Sequence, residues 1–257
     1  MRQRLTILIP AFNEERNIRE VMACAQWADE TLVVDSFSTD ATPRIAAGMG
    51  ARVLQHEYVN SAAQKNWAIP QASCEWVMVL DADERITNAL RSEIQEFLEN
   101  PGATAGLRIF RENYFMGQRV RYCGWQDDSV LRVFPRHRGR YPDREVHADV
   151  IVDGPVRILK NKLLHYTFDN FEQYMRKFDR YTTWAAGDRA RAASRVGFTQ
   201  LSLRPAWRFF RQYVLRGGFL DGRAGLVICS LAAYSVFMKY AKLWERQQNR
   251  DSREQRP

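Results

Sequence analysis

The most constraining feature of this chain is a set of short apolar segments, each followed by residues of helical period. Leu5–Pro10, Thr31–Asp35 and Trp76–Leu80 read as strands, with a shorter one at Arg52–His56. Side chains alternate across a strand, so a segment apolar at nearly every position must be covered on both faces. The covers are the helices expected over Glu15–Trp27, Thr39–Gly48, Ser61–Gln71 and Asn88–Leu98, the third bent near Pro70 and the last stopped by Pro101-Gly102. Strands alternating with crossover helices make an α/β fold around a parallel sheet.

Open parallel sheets bind ligands beyond the carboxyl ends of their strands. Three acidic clusters lie at such ends: Asn13-Glu14-Glu15, Asp35, and Asp81-Ala82-Asp83. In an extended backbone Asp81 and Asp83 point to the same side. Two hard oxygen donors there suit one divalent cation, and that cation a diphosphate. A redox dinucleotide site needs Gly-x-Gly-x-x-Gly after the first strand, and a phosphate loop needs Gly-x-x-x-x-Gly-Lys-Ser/Thr. The chain has Pro10-Ala11-Phe12-Asn13-Glu14-Glu15 in the first place and no phosphate loop, so a metal is the expected partner of the phosphates.

After Pro101 the pattern changes. Strands are expected at Gly106–Arg111 and Ser129–Phe134, with an aromatic, basic segment between them. From Phe171 a helical stripe runs through Tyr174, Met175, Phe178, Tyr181 and Ala185. Pro205 suits the first turn of another helix, carrying Trp207, Phe210, Tyr213 and Val214 and broken by Gly217-Gly218. Ala224–Met238 is uncharged but shorter than the roughly 20 residues of a span. Tyr234, Lys239, Tyr240, Lys242 and Trp244 around it are the anchors expected at a bilayer surface.

The net charge of +8 is uneven: Arg189, Arg191, Arg195, Arg204, Arg208, Arg211, Arg216 and Arg223 face only Asp221 in their stretch. No helix-turn-helix, zinc or single-strand-binding motif accompanies this charge, so an anionic membrane surface is the expected partner and nucleic acid is not. The four cysteines have no metal spacing, and no secretory signal opens the chain. The expected location is cytoplasmic, attached peripherally to the inner face of the cell membrane.

Four blocks then carry a resemblance: Ile9-Pro10-Ala11-Phe12-Asn13-Glu14-Glu15, Val34-Asp35-Ser36-Phe37-Ser38-Thr39-Asp40-Ala41-Thr42, Gln64-Lys65-Asn66 and Leu80-Asp81-Ala82-Asp83-Glu84. In order and spacing they resemble the family 2 glycosyltransferases, whose nucleotide-sugar-binding fold is called GT-A. Gly124-Trp125, Asp128, Arg132-Val133-Phe134, Glu145-Val146-His147 and Leu215–Gly222 are similar, more narrowly, to the lipopolysaccharide-core β-1,4-glucosyltransferase group. The resemblance implies a GT-A catalytic domain over 1–168, with a donor half at 1–100 and an acceptor half at 101–168. Residues 169–257 would then form a C-terminal helical membrane-surface extension, disordered from about 247.

The resemblance also implies an inverting transfer of a sugar from a nucleoside diphosphate to an acceptor hydroxyl, with UDP-glucose or a related donor. It places Pro10, Ala11, Asn13, Glu14, Asp35, Ser38, Gln64, Lys65, Asn66, Asp81, Ala82 and Asp83 around the nucleotide sugar. Mg²⁺ or Mn²⁺ would sit on Asp83 assisted by Asp81, with His147 as a third ligand and His165 as the alternative. Asp128 is the expected general base, its neighbour Asp127 standing where the narrower group has another residue. Trp125, Arg132, Glu145 and His165 are candidates to contact acceptor or phosphate. The acceptor is expected to be a lipopolysaccharide-core or lipid-linked saccharide. The competing readings are a polyprenyl-phosphate sugar transferase and a non-enzymatic basic membrane- or nucleic-acid-binding module.

Overall fold

A computed structural model of the protein describes residues 2–142, 149–190 and 195–254. The chain divides into two compact units, Met1–Glu112 with Asp128–His165, and Asn113–Asp127 with Tyr166–Pro257. Residues 113–127, expected in the acceptor half, therefore group with the C-terminal helices.

In chain order the elements run β1 (Leu5–Ala11), α1 (Ile18–Ala25), β2 (Glu30–Asp35), α2 (Thr42–Gly48), β3 (Arg52–Gln55), α3 (Ser61–Ala68), β4 (Trp76–Val79), β5 (Glu84–Ile86), α4 (Asn88–Glu99) and β6 (Gly106–Phe115), the first unit ending within β6 and again within β12. After β7 (Gln118–Val120), in the second unit, come β8 (Ser129–Pro135), β9 (Gly139–Arg140), β10 (Ile151–Val152), β11 (Val156–Ile158) and β12 (Leu163–Phe168). The principal sheet is ordered β3-β2-β1-β4-β8-β6-β12-β5. Its first four strands are parallel and β8 is antiparallel to β4 and β6. The sheet is thus mixed, as expected of a GT-A fold.

Alternation along the strands explains the two-sided cover. Leu5, Ile7 and Ile9 of β1 point into one core with Met22 of α1, Ile45 of α2 and Ile94 of α4. Leu8, with Val34, Val77 and Val79, joins the opposite core beside Ala62 and Ala68 of α3. Each such fully buried aliphatic contributes about 1.5–3 kcal/mol. Helix α3 gives way to a short 3₁₀ turn at Ile69–Gln71, where Pro70 was expected to bend or end it. Helices α1 and α2 start later than expected because Glu14, Glu15 and Asp40 are tied into the loops that precede them.

The second unit holds α5 (Phe171–Ala190), α6 (Phe198–Leu201), α7 (Leu203–Phe210) and α8 (Gly222–Glu254). Pro205 lies in the first turn of α7, and Gly217 adopts φ +68°, a left-handed conformation open to glycine. A Cβ on Gly218 would meet Cys229 Sγ at 2.8 Å. On α5 the buried positions are Phe178, Thr182 and Ala186. Phe171 and Tyr181 of the expected stripe are exposed. Helix α8 continues to Glu254, past the point near 247 where order was expected to end.

Helix α8 runs on past the charged ends of Ala224–Met238, and Gly218–Asn249 is long and apolar enough to cross a membrane by length and composition. Only 22% of its most apolar window is buried. The flanking anchors are also partly engaged within the unit: Tyr240 is buried under Arg204, and Lys242 Nζ donates to Asp179 Oδ1 at 2.7 Å and to Thr183 Oγ1 at 2.6 Å. Tyr234 stacks on Phe178 at 5.3 Å.

Candidate functional site

The chain leaves β1 toward β2 on one side and returns at β4 on the other. The carboxyl ends of β1 and β4 therefore part at a switch point, where open sheets admit ligands. Asp35 ends β2 and is fully buried. Its Oδ2 accepts the Ser38 N–H at 3.0 Å and Gln55 Nε2 at 3.5 Å. Its Oδ1 is buried with no hydrogen-bond partner among the described residues. Such an oxygen costs about 1–3 kcal/mol until a donor reaches it, which suits an N–H or O–H brought by a ligand.

The loops after β1 and β2 are stitched together. Asn13, at φ +54°, accepts the Thr39 N–H on Oδ1 at 2.8 Å and donates its own N–H to Ser38 Oγ at 2.8 Å. Glu14 donates its N–H to Thr42 Oγ1 and accepts from Asn17 Nδ2, both at 2.8 Å. Asn13 and Ser38 thus shape the rim beside Asp35. Pro10 is half-buried, and Ala11 and Ala82 are buried at the strand ends.

Asn60 caps α3 by accepting the Ala63 N–H at 2.8 Å, which aims the helix's first turns at the site. Gln64 is buried and donates to Ser36 Oγ. Asn66 exchanges two 2.8 Å hydrogen bonds with the backbone of Tyr141. Lys65 lies between them, buried, with Nζ 2.9 Å from Asp81 Oδ1.

The extended geometry expected for Asp81 and Asp83 is replaced by a turn in which the Glu84 N–H donates to Asp81 O at 2.9 Å. The turn sends the two carboxylates to different partners. Asp81 meets Lys65 and Arg132. Burial pushes its carboxyl up, but the two cations outweigh burial and hold it well below the usual carboxylate range. Arg132 is only 4% exposed and also contacts Glu84, which is fully buried. Glu84 in turn lies 3.4 Å from Arg111. Arg111 grips Asp128 in a fork, Nε to Oδ2 at 2.9 Å and Nη2 to Oδ1 at 2.7 Å.

Lys65, Asp81, Arg132, Glu84, Arg111 and Asp128 therefore form one chain of alternating charge from α3 to the start of β8. Register explains it: Met78 of β4 pairs with Val133 of β8, and Phe110 of β6 with Ser129, so Arg132 and Arg111 fall beside the strand ends. Arg132, expected as a phosphate contact, has Nη2 held by Asp81 and Glu84, while its Nε is buried with no hydrogen-bond partner among the described residues.

Asp83 turns the other way. Its Oδ2 lies 3.7 Å from His165 Nε2. Antiparallel pairing of β12 with β5 sets His165 opposite Glu84 and so beside Asp83. No group of three or more His, Cys, Asp or Glu converges on a metal-sized space among the described residues. An ion held by one carboxylate and one imidazole would take its other ligands from phosphate and water, the usual habit of Mg²⁺. The donor set fits a cation that arrives with a diphosphate.

Other expectations fall elsewhere. Asp127 pairs with Arg216, both in the second unit, and Asp128 belongs to the first. Trp125 packs edge-on against Phe115 at 6.4 Å in the same unit. Glu145 and His147 lie outside the described residues. Glu84 and Arg111 had not been singled out. Glu84 stood within a quoted motif, and the signal for Arg111 was a cation at the end of an apolar strand.

Comparison with known proteins agrees with this architecture. The family described as Glycosyl transferase family 2 matches residues 6–159. The lipopolysaccharide core biosynthesis glycosyltransferase LpsC of Rhizobium meliloti is 28% identical over 249 residues, covering 94% of this chain and 92% of that protein. Among solved structures, the mannosyltransferase PcManGT from Pyrobaculum calidifontis, in complex with GDP-Man and Mn²⁺, superposes with TM-score 0.57 at 16% identity over 96% of this chain and 88% of its own. S. aureus TarS 1-349 in complex with UDP-GlcNAc gives TM-score 0.50 at 13% identity over 96% and 92%. The family match spans more than half of the sequence, and the chain belongs to the family 2 glycosyltransferases, with the GT-A fold.

Proposed function

We propose that this glycosyltransferase is an inverting, metal-dependent hexosyltransferase. It would move glucose from UDP-glucose to a lipopolysaccharide-core or other cell-envelope glycan at the inner face of the membrane. The observation that carries the donor half of this reading is the Asp83–His165 pair at the carboxyl end of the sheet. The likeness to LpsC, a lipopolysaccharide core biosynthesis enzyme, supports the acceptor class. PcManGT was solved with Mn²⁺ and GDP-Man and TarS with UDP-GlcNAc, which supports a nucleotide-sugar donor and a divalent ion.

Asp83 and His165 would hold Mg²⁺ or Mn²⁺, which when bound supplies charge neutralisation for the leaving diphosphate. Asp35 Oδ1 would accept a hydrogen bond from the nucleoside. Lys65 would orient Asp81 toward the ribose and lend positive charge to the cleft. Asp128 would take the proton of the acceptor hydroxyl as that oxygen bonds to the anomeric carbon. The bond to the diphosphate breaks on the opposite face, its electron pair leaving with the phosphate oxygen, so the anomeric configuration inverts. Arg111 forks onto Asp128 and fixes its angle.

A thermal-shift panel tests the reading, with UDP-glucose, UDP-galactose, UDP-N-acetylglucosamine, GDP-mannose and ADP-heptose, each with Mn²⁺ or EDTA. A ligand bound only by the folded protein raises Tm. Stabilisation by UDP-glucose with Mn²⁺, lost in Asp83→Ala, is the expected result. A folded protein indifferent to every sugar nucleotide would refute it. The long α8 favours keeping a polyprenyl-phosphate acceptor as the second reading. Label recovered only in an alkali-labile lipid phosphate would select it.

A further inference from the structure

In the second unit, α7 carries one apolar stripe that nothing in the unit covers. Leu203, Trp207 and Phe210 follow the spacing of a single helix face, and Val214 lies in the π-helical turn Arg211–Leu215 that continues α7; their exposures are 61%, 57%, 45% and 45%. Trp207 and Phe210 touch each other at 5.8 Å between ring centroids. The chain continues this exposed apolar character through Leu215, Phe219 and Leu220. Another side of α7 and of the π-helical turn after it is packed: Gln212 is buried, and Phe209 and Tyr213 join the Cys123–Cys229 core. Apolar exposure on this scale marks an interaction surface.

Charge beside the stripe identifies the occupant. From Arg195 to Leu220 the sequence contains five arginines and no Asp or Glu. Arg204 is spent on Tyr240, and Arg216 on Asp127. Arg195, Arg208 and Arg211 have no acidic partner among the described residues, and Arg208 and Arg211 are neighbours in sequence to Trp207 and Phe210 of the stripe. Burial first, and the adjacent Arg211 second, lower the Arg208 pKa, as expected of cations lacking a counter-anion. A short helix with Trp, Phe and Leu on one side and unneutralised arginines beside them suits the headgroup boundary of an anionic bilayer. A second copy docked through this same face would bring the same arginines and no acid to meet them.

We propose that α7 and the π-helical turn after it lie in the plane of an anionic lipid surface, with Leu203, Trp207, Phe210 and Val214 entering the acyl boundary and Arg208 and Arg211 meeting lipid phosphates. This moves the attachment from the uncharged run of α8, where the sequence suggested it, to the preceding amphipathic helix. It deepens the membrane placement proposed above. Its test uses neither donor nor metal, so failure here leaves the donor-site reading intact.

The test is flotation of the full chain with vesicles of phosphatidylcholine alone or with about 30% phosphatidylglycerol, at low and high salt. The wild type is expected to float with anionic vesicles and to be released by salt. Leu203→Glu with Trp207→Glu should lower partition about a hundredfold through lost apolar burial. Arg211→Gln should lower it about fivefold, the worth of one cation near an anionic surface. Ile158→Glu, an exposed apolar site of the first unit, should leave it unchanged. Because the double variant can fail to fold, quenching of wild-type tryptophan fluorescence by brominated anionic lipid provides a second readout. Equal flotation of wild type and folded double variant, or no quenching, overturns the proposal. So does a dimer that the same variant dissociates in the absence of vesicle binding.

Discussion

Replacing Arg132 with Met removes one guanidinium from between two carboxylates and leaves a side chain of similar reach. Arg132 is 4% exposed and Glu84 is fully buried, so neither charge can recover much water. Removing one partner of a buried pair costs about 3–5 kcal/mol. Here each abandoned carboxylate keeps a second cation, Arg111 at 3.4 Å from Glu84 and Lys65 at 2.9 Å from Asp81. The expected loss is therefore at the low end, about 3 kcal/mol. Urea unfolding at neutral pH measures it. Acidification provides an internal check. The folded pKa of Asp81 is depressed, so its pairing stabilises the protein above the unfolded value, and that stability is lost as pH falls through the lower folded value. The gap between wild type and Arg132→Met should shrink as the solution is taken below about pH 4. Adding Glu84→Gln to Arg132→Met should recover part of the loss, since the stranded charge is then gone. A loss below about 1 kcal/mol, the range of solvated surface pairs, would refute the reasoning that this charge chain is dry.

Three further outcomes follow from the site. Asp128→Asn should lower kcat by about 10²–10⁴ with UDP binding unchanged, whereas Asp127→Asn should be near neutral; steady-state kinetics beside UDP titration separates the two carboxylates. His165→Ala should weaken Mn²⁺-dependent UDP binding by about tenfold or more, near 1.4 kcal/mol, and leave metal-free UDP binding unchanged by calorimetry. Asn66→Ala should destabilise the protein by about 1–3 kcal/mol, because it strands a backbone donor and acceptor of Tyr141; unfolding midpoints check this.

Much of the donor half was legible because its signals are local. Uninterrupted apolar runs can only be strands covered twice, and Leu5, Ile7 and Ile9 against Leu8 show that alternation directly. Asp35 at a strand end was readable for the same reason. What escaped were consequences of long-range register. The pairing of β12 with β5 brings His165 to Asp83 across more than seventy residues, and no local pattern encodes it. The split of Asp81 from Asp83 depends on a single tight turn in place of an extended backbone. Glu84 was hidden by its own position: a carboxylate after a strand is commonly solvated, and two arginines from other strands, with the Asp81 N–H, make its complete burial tolerable. In the second unit the apolar run of α8 drew attention, although the exposed face belongs in good part to α7.

The central claim is that a divalent ion and a nucleoside diphosphate meet at Asp83 and His165, beside Asp35. Calorimetric titration of UDP in the presence of Mn²⁺, run on wild type and Asp83→Ala under identical conditions, tests it most directly. The account predicts Mn²⁺-enhanced UDP binding in the wild type, with the enhancement lost in the variant while Tm stays within a few degrees. Equal Mn²⁺-dependent affinity in the two proteins would contradict it and place the donor's metal elsewhere.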